Sequence, residues 1–136
     1  MSIIDMPCFI QKQVSLKTFN SFRFEAKAQF FAVINQLDEL KAALSWAKLQ
    51  SIKITLLGEG SNLLLTGDVI GLVLINRLKG LDVVEHGNHV EMQVAAGETW
   101  HQVVAYAVEL GYGGIENLAL IPGSAGAAPV QNIGAY

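Results

Sequence analysis

The sequence predicts a mixed α+β fold, and three observations carry that prediction. An aromatic and β-branched run, an amphipathic helical stretch and a second apolar run follow one another between Gln29 and Leu57. Short alternating runs split by glycine and polar turns occupy Leu63 to Val94. A second amphipathic stretch begins after Thr99. Periods of two and of 3.6 residues therefore share one short chain, as when strands and helices build a common core.

Residues 1–17 show no clear period and read as a lead-in arm. Gln29 to Ile34 (QFFAVI) reads as a buried strand. Leu37, Leu40, Ala43, Leu44 and Ala47 then recur at helical spacing, with Glu39, Lys41 and Lys48 on the other side. Asn35 is the expected N-cap, and Asp38 places a negative charge in the first turn, where the helix dipole favours it. Ile52 to Leu57 is a second strand ending at Gly58, so strand, helix and strand form a right-handed βαβ unit. Leu63–Leu65, Gly71–Ile75, Leu81–Glu85 and His89–Val94 read as short strands, the last two joined by a hairpin turn at Gly87-Asn88. Thr99, with Gln102 three residues on, makes a capping box that opens the second helix; Trp100, Val103, Val104 and Ala107 form its apolar face, and Gly111 closes it. From Gly113 onward there is no period, and Glu116 is the only charge. A long apolar segment without regular structure is uncommon unless it is functional.

Composition removes several classes of function. Hydrophobic residues make up 51% of the 136 before the 13 glycines are added, and only 15% are charged. Soluble domains average about 45–50% apolar with glycine included and about 25% charged. Disorder is excluded, and either the chain buries an unusual amount or some of its apolar surface faces a cofactor, a partner or further chain. A net charge of −3 without a Lys/Arg cluster leaves no nucleic-acid footprint. Cys8 alone permits neither an internal disulfide nor a cysteine-based zinc site. The N-terminus has Asp5 and Pro7 in place of a signal peptide's basic and apolar regions. The uncharged stretch Asn117–Tyr136 contains Pro122, Pro129 and three glycines, which cannot keep a membrane helix's hydrogen bonds. A cytoplasmic protein with no membrane partner is expected.

Two segments carry candidate chemistry. Gly58-Glu59-Gly60-Ser61-Asn62 directly follows a strand. Its glycines let a ligand approach backbone N–H groups, which suits a phosphate or diphosphate, and the alternative is an ordinary tight turn. It is neither a Rossmann fingerprint, which needs a third glycine and a following helix, nor a Walker loop, which needs Gly-Lys. The second segment runs from Ile121 to Tyr136 (IPGSAGAAPVQNIGAY). Small residues there allow a flat ring to lie on backbone, while Ile121, Val130 and Ile133 argue against a solvated linker. His86 and His89 flank the hairpin turn and His101 begins a helix; all three read as surface residues before metal ligands. Trp46 and Trp100 read as packing residues.

Leu57–Asn62 (LGEGSN), Ile75–Gly80 (INRLKG), Gly114–Gly123 (GIENLALIPG) and Gln131–Tyr136 (QNIGAY) together resemble the UDP-N-acetylenolpyruvoylglucosamine reductases, in that family's order and spacing over residues 14–136. The resemblance implies non-covalent FAD in the fold shared with vanillyl-alcohol oxidase and p-cresol methylhydroxylase. It implies a small βαβ-containing lobe over 1–75 and the start of an antiparallel-sheet lobe over 76–136. Gly58, Glu59, Gly60, Ser61 and Asn62 are implied at the flavin diphosphate. Ile121, Pro122, Gly123, Ser124, Gly126, Ala127, Ala128, Gln131, Asn132, Ile133, Gly134 and Ala135 are implied along the adenosine and isoalloxazine. Tyr136 is implied towards a UDP-sugar enolpyruvyl substrate, with NADPH as reductant. The family pattern continues with glycine where this chain ends at Tyr136. Its serine proton donor, assisting glutamate and arginine have no counterparts here, and neither Arg77 nor Ser124 fills the gap. A fragment inactive by itself is expected. Two other readings are another FAD oxidoreductase of this fold, and a non-catalytic module that self-associates through an unpaired sheet edge.

Overall fold

The computed structural model describes residues 5–61 and 63–135, which fold as two compact units, 1–77 and 78–136. The first unit contains β1 (Gln11–Ser15), β2 (Lys27–Ile34), α1 (Leu37–Leu49), β3 (Ile54–Leu57) and β4 (Val69–Asn76). Its four-stranded sheet has the order β1-β2-β4-β3, with β1 antiparallel to β2 and the other two pairings parallel. β4 thus lies between the two strands that α1 connects. Its buried run Gly71 to Ile75 is the apolar pattern of a central parallel strand.

Side chains alternate across this sheet. On one face Phe31, Val73, Ile75 and Leu57 pack with Leu16 and Ala28, covered by Phe19, Leu63 and Leu65. On the α1 side, Phe30 meets Trp46 edge-on at 5.1 Å between ring centroids. Trp46 is therefore a packing residue, as its position on the helix predicts.

Several expectations for secondary structure need correction. The arm is not structureless, because Gln11–Ser15 is a strand paired to Lys27–Phe31. The N-cap is Gln36, one residue beyond Asn35; the Glu39 carboxylate accepts from both the Asn35 and Gln36 N–H groups at 2.8 and 3.1 Å. Leu63–Leu65 is not a strand but a loop crossing the sheet face, where Leu63 and Leu65 gain burial without ladder bonds. The segment after Gly113 is organised into short 3₁₀ turns at Glu116–Leu118, Ala125–Ala127 and Ile133–Ala135.

The second unit contains β5 (Leu81–Glu85), β6 (Val90–Val94) and α2 (Trp100–Glu109). β5 and β6 form an antiparallel hairpin, with Gly87 at φ +72° in its turn. Thr99 is the N-cap of α2 as expected, but it makes no side-chain cap hydrogen bond, so the capping box expected with Gln102 does not form. The C-terminus closes as a Schellman motif around Gly111 at φ +77°. Gly111 N–H donates to Val108 O and Tyr112 N–H to Ala107 O, both at 2.9 Å. No helix among the described residues is long and apolar enough to cross a membrane.

Candidate flavin site

The glycine loop leaves the end of β3, where Leu57 is buried and Gly58 is partly exposed. Gly60 has φ +68°, and a Cβ on it would stand 2.1 Å from the Phe19 carbonyl oxygen. Glycine is therefore required here by the fold itself. The Gly60 carbonyl accepts from the Ser21 N–H at 3.1 Å and the Ser21 hydroxyl at 3.4 Å. Among the described residues, no protein acceptor is matched to the N–H groups of Gly60 and Ser61. Unpaired donors at a strand end are the chemistry that a diphosphate needs. Glu59 is exposed, so its carboxylate can remain in water. Asn62 lies outside the described residues.

In the second unit, the segment from Ile121 is sewn to the entry of α2. Trp100 N–H donates to Gly123 O at 2.9 Å, Ala125 N–H to Glu98 O at 2.8 Å, and Gly126 N–H to Ala96 O at 3.0 Å. Ser124 is buried and bridges Thr99, and its carbonyl accepts from the N–H groups of Ala127 and Ala128. Gln131 Nε2 returns to Pro122 O at 3.1 Å, closing the stretch into a loop. Pro122, Gly126, Asn132 and Gly134 are exposed, whereas Ile121, Ala127 and Ile133 are half-buried and Ala128 is buried. Leu120 at φ +64° and Asn132 at φ +59° hold left-handed backbone at either side of these residues. Such conformations concentrate at functional sites, and for leucine this one is strained. The described part of the segment thus offers small residues on a fixed backbone, which fits a flat ring. The Ala135 side chain and Tyr136 lie outside the description.

Glu98 anchors the segment from beneath. Its carboxylate accepts from the Gly80 N–H at 2.8 Å and from Lys79 Nζ at 3.0 Å. The Gly80 bond, then Lys79, holds this carboxyl below its ordinary value of 4.5. A carboxyl lowered by folding contributes stability above its unfolded value, and that stability is lost as pH falls through the folded value. Urea unfolding of the wild type is expected to weaken progressively below pH 4.5, the ordinary glutamate value. Glu98→Gln should flatten that part of the profile, and an identical slope in both proteins would refute the assignment.

A concavity of the second unit lies elsewhere. A groove of about 680 Å³ runs between β6 (Val90, Met92, Val94) and α2 (Trp100, Val103, Ala107). Glu85, hydrogen-bonded by the Tyr112 hydroxyl, stands at its lining; that bond pushes the Tyr112 phenol up. None of the sequence-predicted site residues lines it. An apolar groove with a carboxylate repels a diphosphate, so the loops remain the candidate site. His86 and His89 stack at 4.9 Å, and His86 approaches Glu91 at 3.6 Å. No group of three or more metal-ligating side chains occurs among the described residues. His101 has a role that its position did not reveal: its Nδ1 accepts the N–H of strained Leu120 at 3.2 Å. Trp100 similarly donates its indole N–H to Leu118 O at 3.0 Å.

Comparison with known proteins places these loops in context. A family model described as "FAD binding domain" matches residues 28–136. A UDP-N-acetylenolpyruvoylglucosamine reductase of Pseudomonas fluorescens is 48% identical over 93% of this chain and 38% of its own length. One from Pectobacterium atrosepticum is 46% identical over 90% of this chain and 36% of its own. The crystal structure of a UDP-N-acetylenolpyruvylglucosamine reductase from Thermus caldophilus superposes with a TM-score of 0.62 at 26% identity, covering 88% of this chain and 41% of that one. The chain thus spans well under half the length of the relatives it matches. Its α+β architecture is consistent with the FAD-binding fold that the sequence predicts. On its sequence match and its fold together, the chain belongs to the FAD binding domain family.

Proposed function

We propose that this chain is the flavin-binding part of an NADPH-dependent reductase. The parent reaction converts UDP-N-acetylglucosamine enolpyruvate to UDP-N-acetylmuramate for peptidoglycan precursors in the cytoplasm. The observation that carries this reading is the pair of N–H groups, of Gly60 and Ser61, that have no protein acceptor among the described residues, in a chain nearly half identical to such reductases. Bound FAD supplies hydride-transfer chemistry. The chain's own residues bind and orient it, with lobes drawn at 1–75 and 76–136. Gly58, Gly60, Ser61 and Asn62 hold the diphosphate through N–H and side-chain donors, with the Glu59 carboxylate pointing away from it or bracing the loop. Residues from Ile121 to Ala135 lie along the adenosine and isoalloxazine, and Tyr136 faces the sugar nucleotide. No residue here is assigned as proton donor, so the chain alone is expected to be inactive.

Titration with FAD tests the binding half. Saturable quenching of flavin fluorescence at one FAD per chain is expected, and its absence sinks the flavin reading. Anaerobic NADPH oxidation with the enolpyruvyl substrate tests the other half, because turnover by this chain would contradict the missing proton donor.

A second reading rests on the β5–β6 sheet, which has only two strands and so two outer edges without a strand partner among the described residues. Unpaired edges invite pairing with another copy. Concentration-dependent sedimentation without flavin binding would favour a self-associating module, and a monomer with stoichiometric FAD excludes it.

A further inference from the structure

We propose that Ser21 is a positioning residue for the glycine loop, holding the peptide between Gly60 and Ser61 so that its N–H points outwards. The platform is a turn set by Asn20, which is buried with 4% of its surface exposed. Its Nδ2 donates to Leu16 O at 2.7 Å and Phe24 O at 3.2 Å, and its Oδ1 accepts from Phe24 N–H at 2.9 Å. These bonds close residues 16–24 on themselves. The turn from Asn20 to Arg23 is completed by Arg23 N–H donating to Asn20 O at 3.1 Å.

From this platform Ser21 reaches 39 residues along the chain to the Gly60 carbonyl, through its N–H at 3.1 Å and its hydroxyl at 3.4 Å. Gly60 C=O and Ser61 N–H belong to one planar trans peptide, so they point in opposite directions. Fixing the carbonyl on Ser21 therefore aims the Ser61 N–H away from the turn. Phe19 completes the grip, since its carbonyl fills the space where any Cβ on Gly60 would stand. The orientation of this peptide follows from these contacts alone. Its use in holding a diphosphate rests on the flavin reading above.

Ser21→Pro tests the claim with little disturbance to the turn. Ser21 occupies the second position of the turn, which proline favours, and is not among the positive-φ residues. Asn20 at φ −140°, ψ 141° has the extended conformation required before proline. The substitution removes both donors to Gly60. Among the described residues the Ser61 N–H has no protein acceptor to lose, so the readout is the order of its peptide. The amide order parameter at Ser61 is expected to fall from the rigid value of about 0.85 towards about 0.6. FAD affinity should fall about three- to tenfold, the worth of one or two neutral hydrogen bonds, while riboflavin, which has no phosphate, binds unchanged. Should Ser21→Pro fail to fold, Ser21→Ala removes only the hydroxyl contact and should weaken FAD about twofold, with a smaller fall in order at Ser61. An unchanged order parameter at Ser61 overturns the proposal, as does equal weakening of FAD and riboflavin. If the wild type binds no flavin, the flavin reading fails and the order parameter at Ser61 alone decides the positioning claim.

Discussion

Replacing Asn20 with alanine is expected to destabilise the first unit by roughly 3–5 kcal/mol. The side chain satisfies two carbonyls and one N–H in a place where Leu16 is wholly buried. Truncation leaves the Phe24 N–H and carbonyl without partners and the Leu16 carbonyl with the Phe19 N–H alone, at roughly 1–3 kcal/mol for each orphaned group that stays dry. Asn20→Asp is an informative companion because it keeps the shape and the acceptor for Phe24 N–H. It has no donors, however, and turns a carboxylate towards the Leu16 and Phe24 carbonyls. Aspartate should therefore fail to rescue, and the loss should shrink at low pH where the carboxyl is protonated and can donate once. Trp46 belongs to the first unit and Trp100 to the second, so Trp46 emission in a Trp100→Phe background reports this unit during urea unfolding. A loss below about 1 kcal/mol, the worth of a single hydrogen bond, would remove Asn20 as the organiser of the turn.

The elements that were legible in the sequence are those whose period is set by their own burial. Gln29–Ile34, α1, the β5–β6 hairpin and α2 each carry a run or stripe that needs no knowledge of the rest of the chain. β1 does not: QKQVS is polar and largely exposed, and it is a strand only because β2 offers it an edge. Leu63 and Leu65 alternate like a strand, but they alternate because one loop dips twice onto a sheet face. The insertion of β4 between the strands joined by α1 is likewise a tertiary choice. At the candidate site, the glycine loop was visible as glycine, serine and asparagine grouped directly after a strand, a pattern shared with an ordinary tight turn. Ser21 and Asn20 were invisible, since only the fold brings them to Gly60. His101 was hidden for the same reason. The strained Leu120 that it supports has no sequence signal, because leucine is a residue one would not choose for left-handed backbone.

At Gly126 a requirement of the fold coincides with a proposed ligand contact, and substitution should separate the two. A Cβ at this position would stand 2.6 Å from the Ala96 Cβ and 3.0 Å from the Ala96 carbonyl oxygen. Ala96 has little room to retreat, because its neighbours are tied by Ala95 N–H to Gly80 O at 2.8 Å and by Gly97 N–H to Leu78 O at 3.1 Å. Gly126→Ala must therefore lift the 124–128 turn from its seat and strain the Gly126 and Ala125 bonds to Ala96 and Glu98. The expected cost is roughly 1–3 kcal/mol, the range for overpacking a close contact. Ala96→Gly in the same chain removes the tighter overlap and leaves the one with the carbonyl, so it should recover part of the loss in a double-mutant cycle. Flavin binding should respond differently from the response to Ser21→Pro. The 121–135 segment is proposed to lie along the ring system, which FAD and riboflavin share, so Gly126→Ala should weaken both. Selective loss of FAD would move the segment away from the ring and towards the phosphates. Absence of any rescue by Ala96→Gly would show that the glycine is required for something other than its contact with Ala96.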